Sequence, residues 1–199
     1  SGVGPPGHSA LSKSSWAYDA ELDQAPAADV EGAKQLLAAA GKADGFSFTI
    51  QTDTDPISQQ VCQLIQKQLK AVNIDMQIQK MDFGTLLDHA KKGDFEAATI
   101  SWSGRMDPDG NLYDWFHTGT SMNYMKYSNP EVDGLLEQAR HLTDQQARKG
   151  LYRQILLQLN QDVPYIFLYH DNNVFGLSKK VKGFTPNPDG MIRTLNMGK

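Results

Sequence analysis

The chain has 199 residues, of which 40% are hydrophobic and 21% are charged, and its formal net charge is −4 at pH 7. This composition is typical of a globular protein. The lysines and arginines are scattered, so we expect no nucleic-acid partner. No apolar run approaches the roughly 20 residues of a membrane-spanning helix. The single cysteine, Cys62, cannot form an internal disulfide, and its position in a predicted helix indicates a small core residue.

The N-terminus has the composition of an irregular arm. Residues 1–28 are rich in Gly, Pro, Ser and Ala, and we expect Trp16 and Tyr18 to anchor them. The first seven residues lack the charged stretch and apolar core of a signal peptide. Together with the missing initiator Met, this pattern favours a piece of a longer protein.

Helices and strands alternate in the first half of the chain. Capping residues and apolar spacing predict helices over 29–40, 56–72 and 82–93. Apolar alternation predicts strands at 46–50 and 74–78, and the small or apolar run 95–102 predicts a central strand covered on both faces. In the second helix, the buried stripe is predicted to be Ile57, Val61, Ile65 and Leu69. The alternation predicts right-handed crossovers and an α/β fold with a partly parallel sheet.

The second half is predicted to be mainly helical. The predicted helices are a short aromatic one over 112–116, one that begins at Asn129-Pro130, and one behind a capping box formed by Thr143 and Gln146. Short apolar segments at 165–169 and 174–177 favour strands, and residues 181–199 are predicted to be mostly loop. Because no internal repeat or linker is present, we predict one α/β domain over residues 29–199.

The loop that follows the third predicted strand is the strongest candidate for a functional site. A buried strand that ends in a polar, aromatic-flanked loop is a common small-molecule site in α/β proteins. Asp107 and Asp109 could serve acid–base chemistry or hold a metal there. An EF-hand calcium loop is excluded, because it needs Gly at its sixth position and Glu at its twelfth, where this chain has Leu112 and Thr118. We interpret the two carboxylates as caps of the turn and the short helix.

Other residues give little support for catalysis. The sequence contains no nucleophile elbow, no Walker loop and no dinucleotide-binding glycine pattern. No two of the five histidines have metal-ligand spacing on one helical face, and His117 is the one nearest the candidate loop. We therefore expect no enzyme activity, no metal site and no cofactor.

Aromatic residues around Arg105 favour binding. The six that lie within a short span are Trp102, Tyr113, Trp115, Phe116, Tyr124 and Tyr127. Aromatic walls with few charged groups suit a polar organic ligand, although core packing is the simpler interpretation for most of these rings. Arg105 either holds a ligand carboxylate through two parallel hydrogen bonds or pairs with Asp107 or Asp109 at the surface.

Five blocks, in order along nearly the whole chain, resemble family 5 of the extracytoplasmic solute-binding proteins, which serve peptide and nickel ABC importers. The blocks are Ser15–Asp19 with Glu31–Gly41, Ile65–Ile74, Trp102–Gly104 with Asp107–Asp109, Tyr127–Asp133, and Val181–Phe184. The resemblance implies a lobe of the periplasmic-binding-protein type II fold, with a mixed, mostly parallel sheet flanked by helices. Only the second, C-terminal lobe of that two-lobed fold is resembled, and residues 187–193 resemble the start of the return to the first lobe.

The resemblance implies transport rather than catalysis. The chain would be the ligand-binding lobe of a periplasmic substrate-binding subunit, a monomer that binds solute in the cleft between two lobes. It would deliver that solute to the permease subunits of an ABC importer. Two alternatives remain open: a hydrolase that uses Asp107 and Asp109, and a stand-alone domain that buries its aromatic face against a protein partner.

Arg105 departs from the family pattern. Dipeptide-binding relatives carry an Asp directly after the triplet that resembles Trp102–Gly104, and this Asp pairs with the amino group of the peptide. They also hold the peptide carboxylate with an Arg in the loop that corresponds to Gln51-Thr52-Asp53, where this chain has none. The charges thus look exchanged between Asp53 and Arg105, which implies a small peptide-like solute that is anionic or modified. The ligand-binding residues that the resemblance implies are Trp102, Gly104, Arg105, Asp107 and Asp53.

Overall fold

A parallel sheet organises residues 26–101, as the alternating pattern predicts. The computed structural model describes residues 4–187 and 189–198, which form two compact units. One unit consists of residues 26–101, and the other joins the N-terminal residues up to 25 to the chain from 102 onwards. Residues 1–3 of the predicted arm, and Pro188 and Lys199 of the predicted tail, lie outside the described residues. The division into an arm of residues 1–28 and one lobe of residues 29–199 stays a prediction.

The unit of residues 26–101 contains three strands and three helices in alternation. Its strands are β1 (Phe46–Thr52), β2 (Ile74–Lys80) and β3 (Ala97–Ala98), and its helices are α1 (Val30–Ala39), α2 (Pro56–Leu69) and α3 (Phe83–Lys92). β1 lies between β2 and β3, and both pairings are parallel. The register places Ile50 of β1 opposite Ile78 on one side and Ala97 on the other. Parallel pairing therefore follows from the predicted order of elements.

Aspartates begin all three helices of this unit. Asp29, Asp55 and Asp82 each accept hydrogen bonds from backbone N–H groups in the first turn. These bonds satisfy donors that the helix itself leaves without a partner. α3 ends at Gly93, whose φ of 73° is a conformation that favours glycine. After α2, a 3-10 turn over Lys70–Val72 continues to the predicted end of that helix.

Cys62 lies at the centre of the core of this unit, as the sequence predicts. Cys62 and Met76 have no exposed surface and pack with Ile50. The predicted apolar stripe of α2 is buried only in part: Ile65 and Leu69 flank this core, but Ile57 is 37% exposed. Cys62, and not the predicted stripe, is the residue of α2 that is fully buried against the sheet. Because Cys62 is small, α2 can lie close to the strands.

The third strand is shorter than predicted and is not central. The sequence predicts a strand over 95–102, whereas only Ala97–Ala98 form β3, which pairs with β1 alone. On one side of this short ladder, the N–H of Thr49 donates to the Glu96 carboxylate at 2.7 Å. On the other side, the N–H of Thr99 still reaches the carbonyl of Gln51 at 2.9 Å. A side-chain acceptor thus replaces the backbone partner that a longer strand would need.

Three helices build the second unit. They are α4 (Asp109–Phe116), α5 (Pro130–His141) and α6 (Gln145–Asp162), and α5 packs against both α4 and α6. Asn129 caps α5 as predicted, because its side chain accepts from the N–H groups of Glu131 and Val132. The most deeply buried apolar side chains of the three helices are Leu112, Phe116, Val132, Leu136, Ala139, Tyr152, Ile155, Leu156 and Leu159.

The N-terminal arm is held against α6. The ring of Trp16 meets the ring of Tyr152 edge-on at 5.9 Å, so Trp16 anchors the arm as predicted. Arg153 of α6 forms ion pairs with Asp19 and Glu21 of the arm. The other predicted anchor, Tyr18, bonds within the arm instead, since its hydroxyl donates to Asp23 at 2.9 Å.

The cap of α6 differs from the prediction. Asp144, and not Thr143, begins this helix, and its carboxylate accepts from the N–H of Ala147 at 2.7 Å. A carboxylate is a stronger acceptor than a hydroxyl and is favoured by the positive end of the helix dipole. The capping-box prediction was therefore wrong by one residue.

The two apolar segments predicted as strands do not form strands in the structure. In the described residues, strand-type backbone pairing of 165–169 is limited to an antiparallel bridge between Pro6 and Tyr169, and 174–177 form no such bridge. Ile166 and Val174 are 72% and 90% exposed, so these segments lack the burial that stabilises strands. Across the described part of the chain, no helix is both long and apolar enough to cross a bilayer.

Candidate ligand-binding site

Asn111, at the start of α4, holds the loop that precedes this helix. Its side-chain oxygen accepts from the indole N–H of Trp102 at 3.0 Å and from the backbone N–H of Arg105 at 2.7 Å. Its amide nitrogen donates to the backbone carbonyl of Arg105 at 2.8 Å. The same nitrogen has a longer bond of 3.4 Å to the carbonyl of Asp107. Asn111 is 8% exposed, so four bonds of a buried amide fix the loop to the helix.

Arg105 lies over the ring of Trp102. Its guanidinium carbon is 4.1 Å from the ring centroid, a distance typical of a cation–π contact. Its Nη1 donates to Ser103 Oγ at 3.1 Å and to the carbonyl of Gly104 at 2.6 Å. Two glycines allow this geometry: Gly104 has φ of 75°, and a Cβ at Gly110 would lie 2.8 Å from Cγ of Arg105.

Asp107 and Asp109 are each held by an arginine from another helix. Arg148 of α6 donates to both oxygens of Asp107 at 2.7 and 3.0 Å. Arg140 of α5 donates to both oxygens of Asp109 at 2.7 and 2.9 Å. The alternative in which Arg105 pairs with either carboxylate is therefore wrong. Asp107 also accepts from the N–H of Asp109 at 3.0 Å, so it caps the turn as predicted. The prediction that the carboxylates also cap the short helix was wrong, because Pro108 precedes α4 without a side-chain cap bond and Asp109 bonds to Arg140.

The contacts of Arg148 keep Asp107 ionised. Burial raises the pKa of Asp107, but the side-chain hydrogen bonds of Arg148, the backbone hydrogen bond of Asp109 and the charge of Arg148 together outweigh it, and the pKa lies below its ordinary value of 3.8. The pKa of Arg148 is raised, chiefly by the bond to Asp107, although burial opposes this shift. Asp107 therefore carries no proton near neutral pH, which argues against its use as a general acid.

The lowered pKa of Asp107 predicts an acid-sensitive contribution to stability. A carboxyl with a depressed pKa stabilises the fold above its unfolded-state pKa, and this contribution is lost as the pH falls through the folded-state value. Between about pH 4 and pH 2, the free energy of unfolding of Asp107→Asn should therefore fall less than that of the unaltered chain. Urea denaturation across this range measures the difference, with the exposed Asp44→Asn as the control. Parallel losses in the unaltered chain and Asp107→Asn would contradict the prediction.

Most of the aromatic residues around the loop pack against one another. Trp115 is 5% exposed and meets the rings of Trp102, Tyr124 and Tyr165 edge-on at 5.4, 5.8 and 5.9 Å. Burial, with a smaller effect of Tyr124, raises the pKa of Tyr165 to about 12. Trp102, at 36% exposed, is the member of this cluster that keeps most contact with solvent beside Arg105. Core packing thus accounts for most of these aromatic rings, in agreement with the simpler of the two interpretations of the sequence.

Asp53 and His117 have local roles in the structure. Asp53 belongs to the unit of residues 26–101, follows β1, and accepts from the N–H of Asp55 at 3.1 Å. Its predicted pairing with Arg105 stays a prediction. His117 lies between the carbonyl of Thr118 at 3.0 Å and the carboxylate of Glu137 at 3.2 Å. Within the described residues, no cluster of three His, Cys, Asp or Glu side chains could hold a metal ion.

Sequence reasoning missed the residues that build the loop. Asn111 lies in the turn that superficially resembles a calcium loop, and its residue type alone does not indicate its four side-chain bonds. Arg148 is 41 residues from Asp107, and Arg140 is 31 residues from Asp109. No local pattern links residues so far apart in the chain. The spacing of Arg148 and Tyr152, one turn apart on α6, was the single available signal.

Known proteins are similar to most of this chain. The oligopeptide-binding protein AppA of Bacillus subtilis is 30% identical over 194 residues, which cover 87% of this chain and 35% of that protein. Heme-binding protein A of Haemophilus influenzae is 30% identical over 197 residues, which cover 95% of this chain and 36% of that protein. This chain therefore spans little more than a third of the length of either relative.

Solved structures give the same fold. HbpA2 from Haemophilus parasuis superposes with a TM-score of 0.87 at 26% identity, covering 99% of this chain and 40% of that one. The Bacillus subtilis AppA structure, in complex with a nonapeptide, superposes with a TM-score of 0.82 at 28% identity, covering 94% of this chain and 40% of that one. The predicted periplasmic-binding-protein type II fold is thus confirmed. Residues 1–124 match the family described as bacterial extracellular solute-binding proteins, family 5 Middle, and the chain belongs to that family.

Proposed function

We propose that this chain is the ligand-binding lobe of an extracytoplasmic solute-binding protein that delivers a small, peptide-like, anionic solute to the permease subunits of an ABC importer. Residues 29–199 form one lobe of a two-lobed, monomeric, periplasmic protein, and residues 1–28 are the arm that precedes this lobe. The solute binds in the cleft between the lobes and leaves it chemically unchanged.

The relatives support a peptide-like solute and a second lobe. AppA is named as an oligopeptide-binding protein, and its structure holds a nonapeptide. The short share of each relative that this chain spans supports one lobe of two. Exposed apolar side chains in the last part of the chain also support a covering by protein outside it, among them Ile166, Val174 and Leu195 at 72%, 90% and 92% exposed.

The single observation that supports an anionic solute is that Arg105 forms no ion pair with the nearby loop carboxylates. Its guanidinium is stacked on Trp102, and within the described residues both nearby loop carboxylates are engaged by other arginines. A positive charge in this state favours a carboxylate with planar, bidentate geometry. Trp102 and Gly104 form the wall beside it. Asp53 is proposed to receive the cationic end of the solute.

A matched pair of blocked dipeptides tests this proposal. N-succinyl-dialanine amide and N-(4-methylpentanoyl)-dialanine amide have nearly the same shape and differ by one carboxylate at the blocked amino end, and neither carries a carboxylate at the end that Asp53 is proposed to receive. In the complete two-lobed protein, we expect calorimetry to give about tenfold tighter binding of the succinyl compound, since a charge-assisted hydrogen bond contributes about 1.5–3 kcal/mol. Arg105→Met should remove this preference, and Lys179→Met, which changes an exposed lysine, should keep it.

Two outcomes would overturn the proposal. Equal affinity for the two compounds in the unaltered protein would contradict an anionic solute. A preference that survives in Arg105→Met would assign the anion to another residue. Hydrolysis of either compound that is lost in Asp107→Asn would instead support the hydrolase alternative.

A further inference from the structure

We propose that Arg148 is a specificity-determining positioning residue, which keeps Arg105 free for an anionic solute by engaging the carboxylate of Asp107. The inference deepens the proposed function and rests on it for the class of solute. Its test reads the charge around Trp102 directly and needs no bound solute, so its failure and the failure of the proposed function are distinguishable.

The loop that precedes α4 brings five charged side chains together. Three are positive, Arg105, Arg140 and Arg148, and two are negative, Asp107 and Asp109. Each carboxylate is matched by one guanidinium in a two-bond arrangement. Asp114 also acts on Arg140 through its charge. Of the three arginines, Arg105 is the one that bonds to an uncharged hydroxyl and a carbonyl and not to a carboxylate.

Contacts other than the one with Asp107 also hold the side chain of Arg148 in place. Its Nε donates to the carbonyl of Ala139 at 3.0 Å, and its Nη2 donates to the hydroxyl of Tyr152 at 2.9 Å. The rings of Trp16 and Tyr152 lie 5.2 and 5.5 Å from its guanidinium carbon. The side chain is 17% exposed, whereas that of Arg140 is 42% exposed. Arg148 is therefore the more firmly held of the two partners.

Loss of Arg148 would leave the Asp107 carboxylate without its partner, and this carboxylate would then compete with an anionic solute for Arg105. The Asp107 side chain is 49% exposed and stands two residues from Arg105 on the same loop. Without Arg148, Arg105 becomes its nearest cation along the loop. The backbone of Arg105 is held by Asn111 in either case, so the guanidinium stays near Trp102 while its charge is neutralised. Arg148, which does not touch the solute, thus decides whether the solute meets a free positive charge at Arg105.

Trp102 reports this charge, because it is 36% exposed and lies beneath Arg105. In the 199-residue chain, quenching of its fluorescence by iodide, caesium and uncharged acrylamide is measured, and the signal of Trp102→Phe is subtracted to remove Trp16 and Trp115. One unit charge about 6 Å away changes the local concentration of a monovalent ion in water by about threefold. We therefore expect Arg148→Met to lower iodide quenching by about threefold, to raise caesium quenching, and to leave acrylamide quenching unchanged.

Restoration by a second substitution separates this role from a structural one. Asp107→Asn in the Arg148→Met background removes the released carboxylate, so iodide quenching should return to the level of the unaltered chain. Arg153→Met, on the same helix but paired with the arm, is the matched control and should change none of the three quenchers' effects. The proposal is overturned if the iodide-to-caesium ratio is unchanged in Arg148→Met. It is also overturned if the double variant fails to restore the ratio, or if acrylamide quenching rises along with the loss of iodide quenching.

Discussion

Asn111→Ala is expected to lower the free energy of unfolding by about 3 kcal/mol, since three short hydrogen bonds of a buried amide are lost at about 1 kcal/mol each, together with a longer bond to the carbonyl of Asp107. The substitution leaves the indole N–H of Trp102 and the backbone N–H and carbonyl of Arg105 without their partner. The indole and the guanidinium are then no longer held to α4. We expect the solute preference of Arg105 to disappear together with the lost stability.

Asn111→Asp separates the two functions of the Asn111 amide, which are to accept hydrogen bonds through its oxygen and to donate them through its nitrogen. A carboxylate at this position still accepts from Trp102 and from the N–H of Arg105, but it cannot donate to the carbonyl of Arg105. It also adds a negative charge beside the guanidinium. Asn111→Asp should therefore lose less stability than Asn111→Ala but should equally lose the preference for an anionic probe.

Urea denaturation followed by circular dichroism measures these stabilities. The exposed Asn172→Ala is the matched control, and it should change the free energy of unfolding by less than about 0.5 kcal/mol. A loss below about 1 kcal/mol in Asn111→Ala would mean that water replaces the amide, and the loop would then not depend on Asn111.

Features that depend on neighbours in the chain were predictable from the sequence. The capping aspartates Asp29, Asp55 and Asp82 lie within three residues of the N–H groups they bond. The alternation of apolar residues gave β1 and β2 and, with them, the parallel order of the sheet. A hydrogen bond or a buried face that is repeated within one helical turn or one strand leaves a signal in any single sequence.

The features that were missed depend on distant residues or on competition between acceptors. Where a longer β3 would offer a backbone acceptor, the N–H of Thr49 bonds to the carboxylate of Glu96, 47 residues away. Asp144 displaces Thr143 as the cap of α6 because a charge competes better for the same N–H groups. Arg148 engages Asp107 only after α6 has folded against the loop. In the candidate site, sequence supplied the residue types, whereas tertiary structure decides which carboxylate each arginine meets.

Phe116→Ala should give the largest loss of stability among the substitutions considered, about 4 kcal/mol, as expected for a large aromatic residue removed from a packed core. Phe116 is 2% exposed, and its ring meets those of Tyr127, Tyr165 and Phe167 edge-on at 6.5, 6.3 and 6.4 Å. The rings of Tyr165 and Phe167 stack on each other at 5.6 Å. The ring of Phe116 thus holds the segment 165–169, whose backbone pairing is limited to one bridge.

Phe116→Ala should therefore also loosen the segment 165–169 locally, in addition to lowering the free energy of global unfolding. The N–H of His170 donates to the carbonyl of Pro5, and the N–H of Gly7 donates to that of Leu168. Once the aromatic anchor is removed, these two amides should exchange hydrogen faster than the amides of α5, because a local opening requires less free energy than global unfolding. Phe83→Ala, at a residue 47% exposed on α3, is the control and should lose less than about 1 kcal/mol. Equal losses of stability in the two variants, or uniform exchange along the chain, would show that side-chain packing on Phe116 does not hold the segment, and that its two backbone bonds to the N-terminal arm suffice.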